Sequence, residues 1–401
     1  MTKGVRELPP GCPPSTQTFR LLWLDAVKGV SMLWIAVFHC FLASDTGHYP
    51  WPLDLRRIVT FVQECGASGL PAMAGCTVEA LTAALFQRGP QPVGVFILLS
   101  GFGLTYGLTR TGEPEGGWGR WYVRRLARLY PMYWLAHVVY LISPFVQRQD
   151  PLDYRFLLSF IGDRVIPVDR IFFYVNPSWW FFGLLMELYL VYPLLYKAMR
   201  RFGPARFLVF CGVFTVLSRY LLFGVLEASG NYVQGAFFGA RLWEFAVGMA
   251  GAVLYRQRPS AVEGGLFSHR GLVAGGVMYV LGLYAYQPNV LYAFSDGLVG
   301  TGLFIILAHL TRWCLCNVPR LGSLLTTVGV YSYGIFLLHQ PYMISIGQRL
   351  RGVSLLYFTV AAALAIALIA TGSILVERYV NRLTSWLLER FDRRSSHSLP
   401  T

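Results

Sequence analysis

The sequence predicts an all-α integral membrane protein with about ten transmembrane helices and both termini in the cytoplasm. Three observations carry this expectation. Of the 401 residues, 55% are hydrophobic and only 13% charged, whereas a soluble domain carries about a quarter charged residues. The mean hydropathy is +0.49, and apolar runs of about 20 residues, long enough to cross a bilayer as helices, recur along the chain. Lys and Arg gather in alternate connecting segments, as cytoplasmic loops do. This composition excludes collagen, coiled coil, a disordered chain and a secreted disulfide scaffold. The net charge of +14 belongs to loops at a membrane face, so no nucleic-acid partner is expected.

The apolar windows fall at 21–44, 92–109, 129–148, 178–199, 205–227, 235–255, 270–286, 293–312, 324–347 and 353–377. With the N-terminus inside, 22 of the 34 Lys and Arg lie in inside segments and nine in outside ones. Lys28, Arg219 and Arg241 fall within spans, with Arg219 expected to reach the outer interface. A polar, Pro-rich lead at 1–20 is expected to be disordered. Residues 21–380 form the membrane domain, with external segments at 45–91 and 149–177, and 381–401 form a basic cytoplasmic tail. The seven Cys lack zinc-ligand spacing, so no metal site is expected. Cys65 and Cys76 share an external segment and can pair there.

Ionisable residues inside a membrane are costly and mark functional positions. The first span holds Asp25, Lys28 and His39. Eleven residues at about 100° each come within about 20° of three full turns, so Lys28 and His39 share a face about 16 Å apart. Asp25, three residues before Lys28, is its ion-pair partner. This stripe suits an extended substrate with an anionic head inside and a reactive end near mid-membrane. Equally, Lys28 can snorkel and His39 can bond a carbonyl.

The fourth span carries Trp179 and Trp180, which read as an aromatic belt, and Glu187 halfway down. Glu187 is either a general base, a partner for an imidazole, or one half of an interhelical ion pair. In the sixth span Arg241 and Glu244 stand three residues apart, as a structural salt bridge does. In the ninth, His339 is a second deep imidazole, catalytic or packed, and Pro341 bends the helix beyond it. The small residues from Gly94 to Gly103 let helices approach closely. The loop that follows holds Arg120, Arg124, Arg125 and Arg128, either a positive-inside anchor or a set of forks for phosphate.

Together these motifs resemble the membrane acyltransferase-3 family, bacterial proteins that O-acylate surface and exported glycans. Lys28 and His39 resemble its Arg-x10-His signature, with Lys at the Arg position. Gly94 to Phe102 is similar to Gly-Phe-Phe-x-Leu-Ser-Gly-Phe, and Arg125 to Pro131 to Arg-x-x-Arg-x-x-Pro. Trp179 through Glu187 to Pro193, Arg241 to Gly248 and Ser332 to His339 complete the family order, with Phe336 where Tyr is common.

The resemblance implies a multi-pass protein of the bacterial inner membrane that transfers an acyl group, usually acetyl, from acyl-CoA to a hydroxyl of a glycan or glycolipid. It implies His39 as catalytic base and Lys28 in donor binding, with Arg120, Arg124, Arg125 and Arg128 under the CoA phosphates. Glu187 or His339 would orient the imidazole. Acyl-CoA is then a substrate and no cofactor is held permanently. Direct transfer and an acyl-imidazole route both fit. A transporter or flippase for lipid-linked sugars is the rival reading, since buried ion pairs also suit a translocation path.

Overall fold

The computed structural model describes residues 19–397 apart from 53, 110–111, 147–149, 166–169, 228–234 and 287–290. The polar lead expected at 1–20 lies almost wholly outside the described residues. Among these residues there are fifteen α-helices and no strand, so the all-α expectation holds. Every apolar window falls on a helix. They are α1 (Phe19–Ser44), α4 (Pro92–Tyr106), α5 (Gly117–Ile142), α7 (Trp180–Phe202), α8 (Pro204–Arg219), α9 (Leu242–Gln257), α11 (His269–Ala285), α12 (Tyr292–Asn317), α13 (Pro319–Val330) with α14 (Ser332–Arg349), and α15 (Leu355–His397). Shorter helices α2 (Leu55–Cys65), α3 (Leu70–Gln87), α6 (Tyr154–Ile161) and α10 (Pro259–Leu266) lie between them.

Among the described residues five helices, or up to seven if each bent pair counts as one span, are long and apolar enough to cross a membrane. The difference from ten has physical causes. The 15 residues of α4 extend about 22 Å, less than the roughly 30 Å apolar core of a bilayer. The ninth window is two helices, α13 and α14, meeting at 83°.

Where α1, α4 and α9 cross their neighbours, glycines remove the side chain that would hold the backbones apart. A Cβ on Gly29 of α1 would lie 2.0 Å from the Leu325 carbonyl oxygen, and one on Gly329 of α13 would lie 1.7 Å from that of Asp25. The same reciprocal contact joins α4 to α9, Gly101 against Phe245 and Gly248 against Leu98. The close approach expected of the Gly94–Gly103 stretch is therefore real.

Two prolines free carbonyls that other elements recover. A proline has no N–H to give the carbonyl four residues back. For Pro341 that carbonyl is Leu337, which accepts instead from Trp179 Nε1 at 2.9 Å and from Asn176 Nδ2 at 3.2 Å. For Pro193 it is Tyr189, which accepts from the Tyr122 hydroxyl at 3.1 Å. Trp179 is 1% exposed, so it is a buried support for the carbonyl that Pro341 frees in α14 and no part of an interfacial belt.

The Arg run expected in a loop instead lies within α5, which begins at Gly117. Arg is a good helix former, and Trp121 anchors this turn by stacking on Tyr192 of α7 with ring centroids 5.3 Å apart. In the segment after α1, Cys65 and Cys76 form a disulfide across α2 and α3, with Cα atoms 6.1 Å apart.

Candidate functional site

A cavity of about 320 Å³ runs between α1, α4, α5, α7 and α14. Lys28 and His39 both line it, so the shared face expected of α1 exists and faces inward. Arg125 and Arg128 join Lys28 along the wall, and Gln340, Ser178 and Trp180 join His39. Aromatic and aliphatic side chains, Phe96, Leu99, Phe181 and Phe336 among them, make most of the lining.

At the cationic end, Lys28 Nζ donates to Asp25 Oδ1 at 2.8 Å, and about a third of the Lys28 side chain stays exposed. The spacing of α5 explains which arginines turn inward. Arg125 and Arg128, three residues apart, share a face. Arg120 and Arg124 do not line the cavity, and Arg124 pairs with Glu115 at 3.6 Å. Beside this end the break between α13 and α14 leaves the first N–H groups of α14 without helical acceptors. The Gly334 N–H donates to Glu377 Oε2 at 2.8 Å. Glu377, 6% exposed, went unnoticed in the sequence, although a carboxylate at the end of the last apolar run was the available signal.

At the other end His39 and His339 come together with ring centroids 5.2 Å apart. His339 is fully buried. Its Nδ1 donates to the carbonyls of Phe336 at 2.9 Å and Ile335 at 3.1 Å, so its Nε2 keeps the lone pair, and among the described residues no hydrogen-bond partner reaches that atom. Gln340 binds His39 from the next position on α14. Its Oε1 accepts from the Ser178 N–H, which turns its Nε2 toward His39 Nδ1 at 3.3 Å. This amide orientation is assigned from the hydrogen-bond pattern. A neutral His39 that accepts at Nδ1 holds its proton on Nε2.

Glu187 is not brought to this cluster. Leu185 and Tyr189 of α7 face the cavity, and a residue two positions from each points to the opposite side of the helix. Its Oε2 accepts from the Phe238 N–H at 2.8 Å.

Arg241 and Glu244 form the expected ion pair at 2.9 Å, with Glu244 fully buried. They belong to a larger cluster away from the cavity. Asp296 of α12 binds Arg219 at 2.5 Å and Arg241 at 3.1 Å, and accepts from the Tyr286 hydroxyl. Arg219, expected at the interface, is 1% exposed. Its guanidinium is held there by Asp296, the Tyr292 carbonyl and the Ser295 hydroxyl, which supply the partners a buried charge requires. Asp296 was not singled out in the sequence, although it is an acidic residue within an apolar window.

Among the described residues no three His, Cys, Asp or Glu are placed to hold a metal ion. A family model described as "Acyltransferase domain" matches residues 21–375. No curated protein and no solved structure matches the chain.

Proposed function

Because the chain belongs to the acyltransferase-3 family, with residues 21–375 matched, we propose that it moves an acyl group, acetyl first of all, from acyl-CoA to a hydroxyl of a glycan or glycosylated acceptor. The observation that carries this reading is the single cavity with cations at one end and an imidazole at the other. Lys28, Arg125 and Arg128 offer charge for phosphate, and Arg presents a bidentate fork. The apolar wall between suits an uncharged, extended thioester arm. The rise of α1 from Lys28 to His39, about 16 Å, sets its length.

The donor enters from the cytoplasm in this reading, with ten spans and both termini inside. Two features support that orientation. Lys and Arg concentrate on the segments at the Lys28 side, and the Cys65–Cys76 disulfide, which forms in an oxidising compartment, follows the His39 end of α1. The membrane is then the bacterial inner membrane.

His39 takes the proton of the acceptor hydroxyl at Nε2 as the oxygen attacks the thioester carbonyl. Collapse of the tetrahedral intermediate breaks the C–S bond. The leaving thiolate takes the proton back from the imidazolium, giving an ester and free CoA thiol. A base at Nε2 needs the other proton on Nδ1, so the Gln340 amide must turn its oxygen toward His39. Ser178 N–H keeps an acceptor during that turn, because Asn176 Oδ1 also accepts from it at 3.1 Å. His339 Nε2, buried and unpartnered, stabilises the imidazolium beside it.

Equilibrium binding of radiolabelled acetyl-CoA to the protein in nanodiscs tests the reading. Saturable binding, weakened by Arg125→Ala, is expected. Absence of saturable binding of any acyl-CoA overturns it and favours a translocation path for lipid-linked sugars.

A further inference from the structure

A second cleft, of about 610 Å³, opens beyond the His39 end of α1, between the segment after α1 and the disulfide-linked helices α2 and α3. One wall is aromatic. His48, Tyr49 and Phe61 contact one another with centroids 4.8 to 5.7 Å apart, and Trp51 is 57% exposed. Asp45, Arg57, Glu64 and Gln87 line the cleft as well, with Asp45 Oδ1 accepting from the Gly47 and His48 N–H groups at 3.1 and 3.0 Å. The cleft is built rather than incidental. A Cβ on Gly66 would lie 2.7 Å from the Met73 Cα, so α2 and α3 meet backbone to backbone. Arg88 Nη2 donates to the Pro52 carbonyl at 3.1 Å, and Trp34 Nε1 of α1 donates to the Leu85 carbonyl at 2.7 Å, holding the end of α3 against both loop and span.

Gln87 is the informative residue. It is 8% exposed, lines the cleft, and its Oε1 has no hydrogen-bond partner among the described residues. A buried amide oxygen left unpaired costs free energy unless water or a ligand donates to it, so Gln87 offers an acceptor to a ligand hydroxyl. Aromatic faces that accept apolar C–H surface, set among side chains of mixed donor and acceptor character with near-balanced charge, suit a ring bearing many hydroxyls. They do not suit an anion or an acyl chain.

We infer that this cleft binds a saccharide unit of the acceptor, stacked on Trp51 and Tyr49 with a hydroxyl donating to Gln87 Oε1. The cleft adjoins the catalytic end of the cavity through Phe38, which lines it and whose ring centroid lies 5.1 Å from that of His39. The saccharide held there flanks the one that is acylated. That last placement rests on the acyl-transfer reading; recognition of the saccharide does not.

The test is capture by arrayed oligosaccharides, containing glucose, galactose, mannose or N-acetylhexosamine, of full-length protein in nanodiscs, with arrayed peptides alongside and acetyl-CoA binding measured on the same samples. Wild type is expected to bind at least one saccharide class. Trp51→Ala and Gln87→Leu are each expected to weaken that binding at least tenfold while leaving acetyl-CoA binding unchanged, which also reports that the variants fold. No saccharide capture by wild type, capture by peptides alone, or undiminished capture by both variants overturns the inference. Saccharide capture without acetyl-CoA binding keeps the cleft and refutes the transfer reading. The reverse result refutes the cleft alone.

Discussion

The Gln340 amide nitrogen stands 3.3 Å from His39 Nδ1 while its oxygen accepts from the Ser178 N–H. One side chain thereby reads the protonation of the His39 imidazole, the proposed base, and is itself fixed by the turn that leads into α7. A glutamate at this position accepts from Nδ1–H and holds His39 as a base at Nε2. Gln340→Glu should therefore keep CoA-releasing activity, and Gln340→Leu should lower kcat by about 10–100-fold, the range for a lost hydrogen bond to a charged group. Steady-state kinetics on both variants check this. Equal loss in the two would show that Gln340 only packs.

Trp179 holds the carbonyl that Pro341 leaves without a helical donor. Trp179→Phe keeps the ring and removes the N–H, leaving Asn176 as the remaining donor at 3.2 Å. The expected cost is about 1–3 kcal/mol of stability, seen as a lower Tm, with a fall in kcat because His339 and Gln340 sit within the same turn. An unchanged Tm and kcat would remove Trp179 from the support of the site.

Asp296 neutralises Arg219 and Arg241 in a buried cluster. Asp296→Asn leaves two guanidinium groups sharing one buried carboxylate, Glu244, and breaking such a cluster costs about 3–5 kcal/mol. Thermal unfolding in detergent should show a marked drop in Tm, with the KM for acetyl-CoA unchanged in the fraction that remains folded. A shifted KM at full stability would place the cluster in substrate binding instead.

Much of this architecture was legible in the sequence, because apolar length and periodicity decide which segments are helices. The α1 stripe was legible for the same reason, since Lys28 and His39 need only helical geometry to share a face. What could not be read depends on tertiary contact. Nothing local shows that the ninth window breaks at Tyr331, that α5 starts before its apolar run, or that Trp179 serves a carbonyl on α14. Glu187 illustrates the limit. Its depth in the span was clear, but the face of α7 that turns to the cavity was not.

Lys28 supplies a point charge at the cationic end, beside Arg125 and Arg128. Lys28→Ala should raise the KM for acetyl-CoA by about 10–100-fold, the loss of one charge-assisted contact, with kcat less affected. Lys28→Arg should keep the wild-type KM or improve on it, since the fork meets phosphate with two donors. An unchanged KM in Lys28→Ala would assign the donor head to the arginines alone.

The most direct test of His39 as the base of an acyl transfer is release of free CoA from acetyl-CoA by the protein in nanodiscs, with membrane glycan extract supplied as acceptor. Wild type should release CoA, and His39→Ala should bind acetyl-CoA normally yet release none above background. CoA release by His39→Ala at the wild-type rate would contradict the account.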